Sequence, residues 1–185
     1  ILAATVIITA IVLSLARTPG LYGVARGAAL VGYQFVFLAV LSSAFTRPLV
    51  RAYRKPFIRL HHWVSITGLA LLVLHPILLV IVLKSTAVLT AAYTSGEFFR
   101  YAGSPALIAF FLAAIAAVLR TRMNTVWRYI HWLNYVALLL GTAHAVLLGT
   151  SVALLPWLRW VLVLLAACGV AVYISRRVKT RAAGR

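Results

Sequence analysis

The strongest constraint on this chain is the recurrence of apolar runs, each of about 15 to 20 residues, separated by shorter basic or polar connections. Runs of that length approach the ~20 residues a helix needs to cross a hydrocarbon layer about 30 Å thick. Hydrophobic residues make up 64% of the chain and its mean hydropathy is +1.05, whereas a soluble domain is nearer 45–50% apolar, roughly. The pattern predicts an all-α, polytopic membrane bundle of six helices in a single domain, 1–185, without a soluble part. The spans fall at about 1–16, 28–46, 61–83, 105–119, 129–149 and 155–175.

Charge sets the orientation. Eighteen Lys or Arg face one acid, Glu97, giving a formal net charge of +17. A basic excess of this size often marks nucleic-acid binding, but here it sits between hydrophobic spans, where anionic headgroups attract it. With both termini on one side, that side collects Arg47, Arg51, Arg54, Lys55, Arg59, Arg120, Arg122, Arg128, Arg176, Arg177, Lys179, Arg181 and Arg185. The other side keeps Arg17, Arg26, Lys84, Arg100 and Arg159. Short cytoplasmic loops are enriched in Lys and Arg, so the termini are expected in the cytoplasm of a cell whose inner or plasma membrane holds the bundle.

The scarcity of acids argues against a carboxylate proton relay and a carboxylate-bridged metal site. Cys168, the one cysteine, excludes a disulfide framework and reads as a buried, inert thiol. Ile1 in place of Met suggests a longer product, and the opening run reads as the remainder of a first span, since it lacks the small-residue pattern of a signal-peptide cleavage site. Residues 17–27, with Pro19 and three glycines, read as a connection. Ser104 and Pro105 read as N-cap and first residue of the fourth span.

All five histidines lie in spans three and five: His61, His62, His75, His131 and His144. An ionisable side chain within a membrane span is a functional-site hypothesis by default. Both spans run in the same direction, so His61 matches His131 in depth and His75 matches His144. Spacings of 14 and 13 residues, at a rise of ~1.5 Å each, separate the two levels by roughly 20 Å. Two imidazoles from facing helices can clamp a planar iron porphyrin, and two such levels would stack two haems between spans three and five. Zinc needs its ligands within about 2.1 Å of one ion, which the separation of the levels forbids.

Angular phase supports one span better than the other. At about 100° per residue, a 14-step returns to within ~40° of the same face, while the 13-step from His131 to His144 lands about 140° away. Local rewinding, with Gly141 as a site for a π-bulge, or approach of the two haems from different sides would reconcile this. His62 to His75 is also a 13-step, so His62 rivals His61. Haem propionates need cationic partners: Arg59 and Arg128 are candidates beside the inner histidines and Arg26 at the outer side, although Arg59 and Arg128 also suit interfacial anchoring by snorkelling. The tryptophans read as an interfacial belt.

The segments VARGAAL at 24–30, RLHHW with His75 following, and WRYIHWLNY with His144 following resemble the ferric-reductase-like transmembrane domain shared by iron reductases, NADPH oxidases and the haem membrane subunit of periplasmic methionine sulfoxide reductase. The resemblance implies six helices, two haem b groups held by His61, His75, His131 and His144, and an outer-haem arginine at Arg26. It implies a transmembrane cytochrome passing electrons from a cytoplasmic flavoprotein or quinol to an extracytoplasmic acceptor: ferric iron, oxygen or a partner reductase. Two departures stand out. NADPH oxidases carry a further histidine where this chain has Leu79, which weakens the case for superoxide production. No Gly-rich phosphate loop follows span six, so any flavin belongs to a separate partner or a further domain. The reading from another class is a non-redox transporter or assembly factor whose histidines line a polar path, for which broken mid-membrane helices are the signature.

Overall fold

The computed structural model describes residues 20–42, 50–51 and 56–182, excepting the side chains of 176, 177 and 179–182. The described residues form helices joined by turns and short irregular links, with no strand among them. The helices are α1 Leu21–Ser42, α2 Phe57–Leu83, α3 Ala87–Thr94, α4 Gly103–Val118, α5 Val126–His131, α6 Leu133–Leu148, α7 Thr150–Leu154 and α8 Pro156–Ala182. Four stretches are long and apolar enough to cross a membrane: Leu21–Ser42, Phe57–Leu83, Val126–Leu148 and Pro156–Ser175. This is an integral membrane protein. The fourth expected span, α4, has 16 residues and at about 1.5 Å per residue falls short of a full crossing. The expected span 1–16 and the end of span two, 43–46, lie outside the described residues.

α1 is the hub. It packs antiparallel along α2 and also touches α6 and α8. Its buried face is rich in small residues, Gly23, Ala25, Gly27, Ala28, Gly32 and Ala39, and small residues are what let membrane helices approach closely. One cluster joins Leu30, Tyr33 and Phe37 to Leu138, Val152, Leu155, Leu158 and Leu162, tying α1 to α6, α7 and α8. A second joins Val36 to Ala109, Phe110 and Ala137. On α4, buried Ala106, Ala109, Ala113 and Ala116 recur at helical spacing and form the face toward α6. Tyr33 donates to Thr142 Oγ1 at 2.7 Å while Thr142 donates to the Leu138 carbonyl at 2.7 Å, closing that polar chain inside the bundle.

Several sequence expectations are corrected. The connection expected over 17–27 is helical from Leu21 onward, because Gly20 alone takes the turn, at φ 92°, and the later glycines are held by packing that overrides their poor helix propensity. The connection after α2 contains α3 and follows Lys84, whose left-handed backbone at φ 50° ends the helix. α4 begins at Gly103 with Ala102 as N-cap and no side-chain cap, so Ser104 does not cap it. Pro105 still falls in the first turn, where backbone N–H groups lack helical partners anyway. Cys168 is exposed on α8 instead of buried. The run after span six stays helical to Ala182.

Candidate functional site

The site begins with the α1–α2 crossing. Gly32 and Gly68 meet at its centre: a Cβ on Gly32 would lie 3.0 Å from the Gly68 carbonyl oxygen, and one on Gly68 would lie 2.9 Å from Phe35 Cβ and 3.0 Å from the Val36 nitrogen. Seven residues to either side, on the same antiparallel register, stand Ala25 opposite His75 and Ala39 opposite His61. A seven-residue step turns a helix to within about 20° of its starting face. His61 and His75 of α2 are thereby brought against backbone of α1 at two levels.

At the second level His75 Nδ1 pairs with the Ala25 carbonyl at 2.9 Å. From the other side of the bundle, His144 Nδ1 pairs with the Arg100 carbonyl at 2.9 Å, and the His75 and His144 rings are close enough to interact electrostatically. At the first level His131 Nδ1 pairs with the Ala113 carbonyl of α4 at 3.1 Å. Asn134 braces it, donating to the His131 carbonyl at 2.9 Å, with its amide nitrogen set between the two ring nitrogens, 3.3 Å from Nδ1 and 3.4 Å from Nε2. His61 faces His131 with ring centroids 6.4 Å apart and planes at 64°. Its Nδ1 is buried, with the Ala39 carbonyl near but outside hydrogen-bond geometry. A carbonyl can only accept, so Nδ1 of His75, His131 and His144 carries the proton and Nε2 is left with its lone pair.

That tautomer is the one in which a histidine binds metal: ligating imidazoles almost always donate the other ring N–H to a carbonyl or carboxylate, which fixes the ring and raises its basicity. A metal–imidazole bond of about 2 Å, taken from zinc sites, with a ring radius near 1 Å, puts the centroids of two imidazoles sharing one ion about 6 Å apart. The His61–His131 spacing fits that requirement. Among the described residues no three of His, Cys, Asp and Glu converge, so each level offers a pair of imidazoles and no more. The pair also links α2 to the α5–α6 span, two elements whose backbones scarcely approach each other.

His62 is exposed, its ring 6.3 Å from that of His61, and it does not meet His131. The phase difference of the 13-step on the fifth span is made up only in part, at Trp132, where the helix is interrupted between α5 and α6. Trp132 N donates to Tyr129 O and Tyr135 N to Trp132 O, both three-residue bonds, and each residue wound that tightly adds about 20° to the rotation. At Gly141, the site expected for rewinding, α6 runs on unbroken.

The arginines separate into two kinds. Arg26 is buried, and its Nε and Nη2 donate to Ser151 Oγ at 3.0 and 2.8 Å, with the Tyr22 ring 5.8 Å away. It follows directly on Ala25 and so stands at the second histidine level. Arg59 and Arg128 are exposed, Arg128 lying 5.9 Å over the Trp127 ring. The sequence reading missed several contributors. Phe57 stacks on His61 at 5.5 Å and Trp127 lies 5.9 Å from His131, and the signal was available, since each precedes its histidine by one helical turn. The carbonyls of Ala25, Arg100 and Ala113 carry no sequence signal at all.

A family model described as "Ferric reductase like transmembrane component" matches residues 27–142, well over half of the chain. The matched segment includes His61, His75 and His131, begins one residue after Arg26 and ends two before His144. No curated protein and no solved structure matches the chain.

Proposed function

Because this chain belongs to the ferric-reductase-like transmembrane family and is a membrane electron-transfer component, we propose that it is a b-type dihaem conduit. His61 with His131 would hold one haem and His75 with His144 the other. Bound haem supplies a one-electron ferric/ferrous couple at each level. The observation that carries this reading is the tethering of His75, His131 and His144 through Nδ1 to backbone carbonyls, which presents Nε2 in the ligating form at two depths.

The chain's own residues do the rest. The carbonyl tethers hold the imidazoles as good donors, and basic ligands favour the ferric state and so set the potential. Phe57 and Trp127 pack against the rings of the first level and limit water there. Arg26, fixed by Ser151, places a cation at the second level, where a propionate could pair with it. Arg59 and Arg128 offer the same at the first level.

The excess of basic residues on the side of the first level makes that side cytoplasmic, so electrons enter there from a flavoprotein or quinol, with any flavin held by a partner or a further domain. They leave at the second level, where a ferric chelate takes one electron to become ferrous, or oxygen or a partner reductase accepts instead. The chain acts as one haem-binding unit in which α4, although short of a full crossing by length, lies between the third and fifth expected spans and returns the chain across most of the layer, so that those two spans run in the same direction.

The test is a difference spectrum of the purified protein before and after dithionite, with a haem assay. Two b-type haems per chain are expected. Folded protein that takes up no haem would remove the proposal.

A further inference from the structure

The two histidine levels are built differently. His75 takes its tether from a long helix, but His144 takes its tether from Arg100, in the turn that joins α3 to α4. That turn is closed by its own backbone: Arg100 N and Tyr101 N both donate to the Glu97 carbonyl, at 3.1 and 3.2 Å, and Ala106 N then donates to Ala102 O as α4 begins. Three residues after Arg100 comes Gly103, the first residue of α4. A Cβ on residue 103 would lie 3.0 Å from His144 Nε2, 3.1 Å from Cδ2 and 3.3 Å from Cε1. Near-equal distances to three consecutive ring atoms put that Cβ over the face of the imidazole, not ahead of its lone pair. Gly103 is thus a floor on which the ring lies while Arg100 O holds its edge.

Resting on the dihaem reading, we infer that the segment 97–103 is the positioning element for the second-level ligand and that Gly103 is a positioning residue for His144. With a methyl group on the floor the ring must give by a few tenths of an ångström, because it is held at its edge by Arg100 O and the other side of residue 103 is helix backbone. A ring displaced that way strains the Arg100 bond and turns Nε2 from the direction in which it would ligate a haem. Gly141, on the same helix as His144, has nothing within 4 Å of the position a Cβ would take, so a methyl there meets no protein atom.

The experiment compares wild type, Gly103→Ala and Gly141→Ala, purified with haem and examined by low-temperature electron paramagnetic resonance and haem assay. Two low-spin signals from wild type establish the dihaem reading independently of the variants. Gly103→Ala is expected to lose one low-spin signal, by conversion to high spin or loss of one haem, while the other signal and both signals of Gly141→Ala stay as in wild type. Retention of both signals in Gly103→Ala, or loss of both from protein that elutes as wild type does, overturns the inference.

If Gly103→Ala does not accumulate, His144→Gly with added imidazole asks the same question with a detached ring. The Gly103→Ala change in that background should raise the imidazole concentration needed to restore the low-spin signal roughly tenfold, the equivalent of one hydrogen bond of about 1.4 kcal/mol. Equal concentrations in the two backgrounds overturn the inference.

Discussion

Gly68→Ala tests the crossing from which the α2 histidines take their positions. The new methyl would meet Phe35 Cβ at 2.9 Å, the Val36 nitrogen at 3.0 Å and Val36 Cγ2 at 3.1 Å. Two of these are a backbone atom and a Cβ, which cannot swing aside, so α1 and α2 must part by roughly half an ångström to regain ordinary contact. Overpacking of this kind costs about 1–3 kcal/mol.

The same movement lengthens the His75–Ala25 bond from 2.9 Å toward or past the ~3.2 Å at which an N–H···O bond weakens, forfeiting about 0.5–1.5 kcal/mol. An imidazole without that bond is a poorer donor, the ferric state is less stabilised, and the potential rises. If all of that loss falls on the ferric state, the shift is about +20 to +65 mV for one electron. It falls chiefly on the second-level haem, since His61 has no such bond to lose. Spectroelectrochemical titration of wild type and variant measures it, with thermal melting in the same detergent reporting the packing cost. A variant that melts lower with both potentials unmoved would refute the link between the crossing and the ligand tether.

Further outcomes follow from single contacts. His131→Ala should halve the haem content, whereas His62→Ala, which removes an exposed ring, should leave it at two per chain; the haem assay decides both. Ser151→Ala removes the acceptor of two Arg26 hydrogen bonds, and because the donor is a buried cation the loss is about 1.5–3 kcal/mol, read as a lower melting temperature. Glu97→Gln breaks an exposed ion pair of 3.1 Å to Arg100; such pairs contribute about 0–1 kcal/mol, and since the turn is closed by backbone bonds both low-spin signals should persist.

The membrane helices could be read in the sequence because hydrophobic run length is a one-dimensional property, and so could the level pairing, because 14 and 13 residues on co-directional helices translate into depth. Helix ends were less legible: the glycines of 17–27 look like a turn until α2 and the other neighbours of α1 are known to cover them. What decides the chemistry of each histidine was invisible, since the groups that hold Nδ1 are main-chain carbonyls that any residue supplies. Yet the glycines record those carbonyls indirectly. Gly32 and Gly68 lie midway between the Ala25–His75 and Ala39–His61 pairs, and Gly103 lies under His144, so in each case the missing side chain is what lets an imidazole or its carrier helix come close to another backbone. In a span where Leu or Ala would give a better helix, a glycine set midway between two histidines, or one turned under a third, is itself a mark of where the rings must be held.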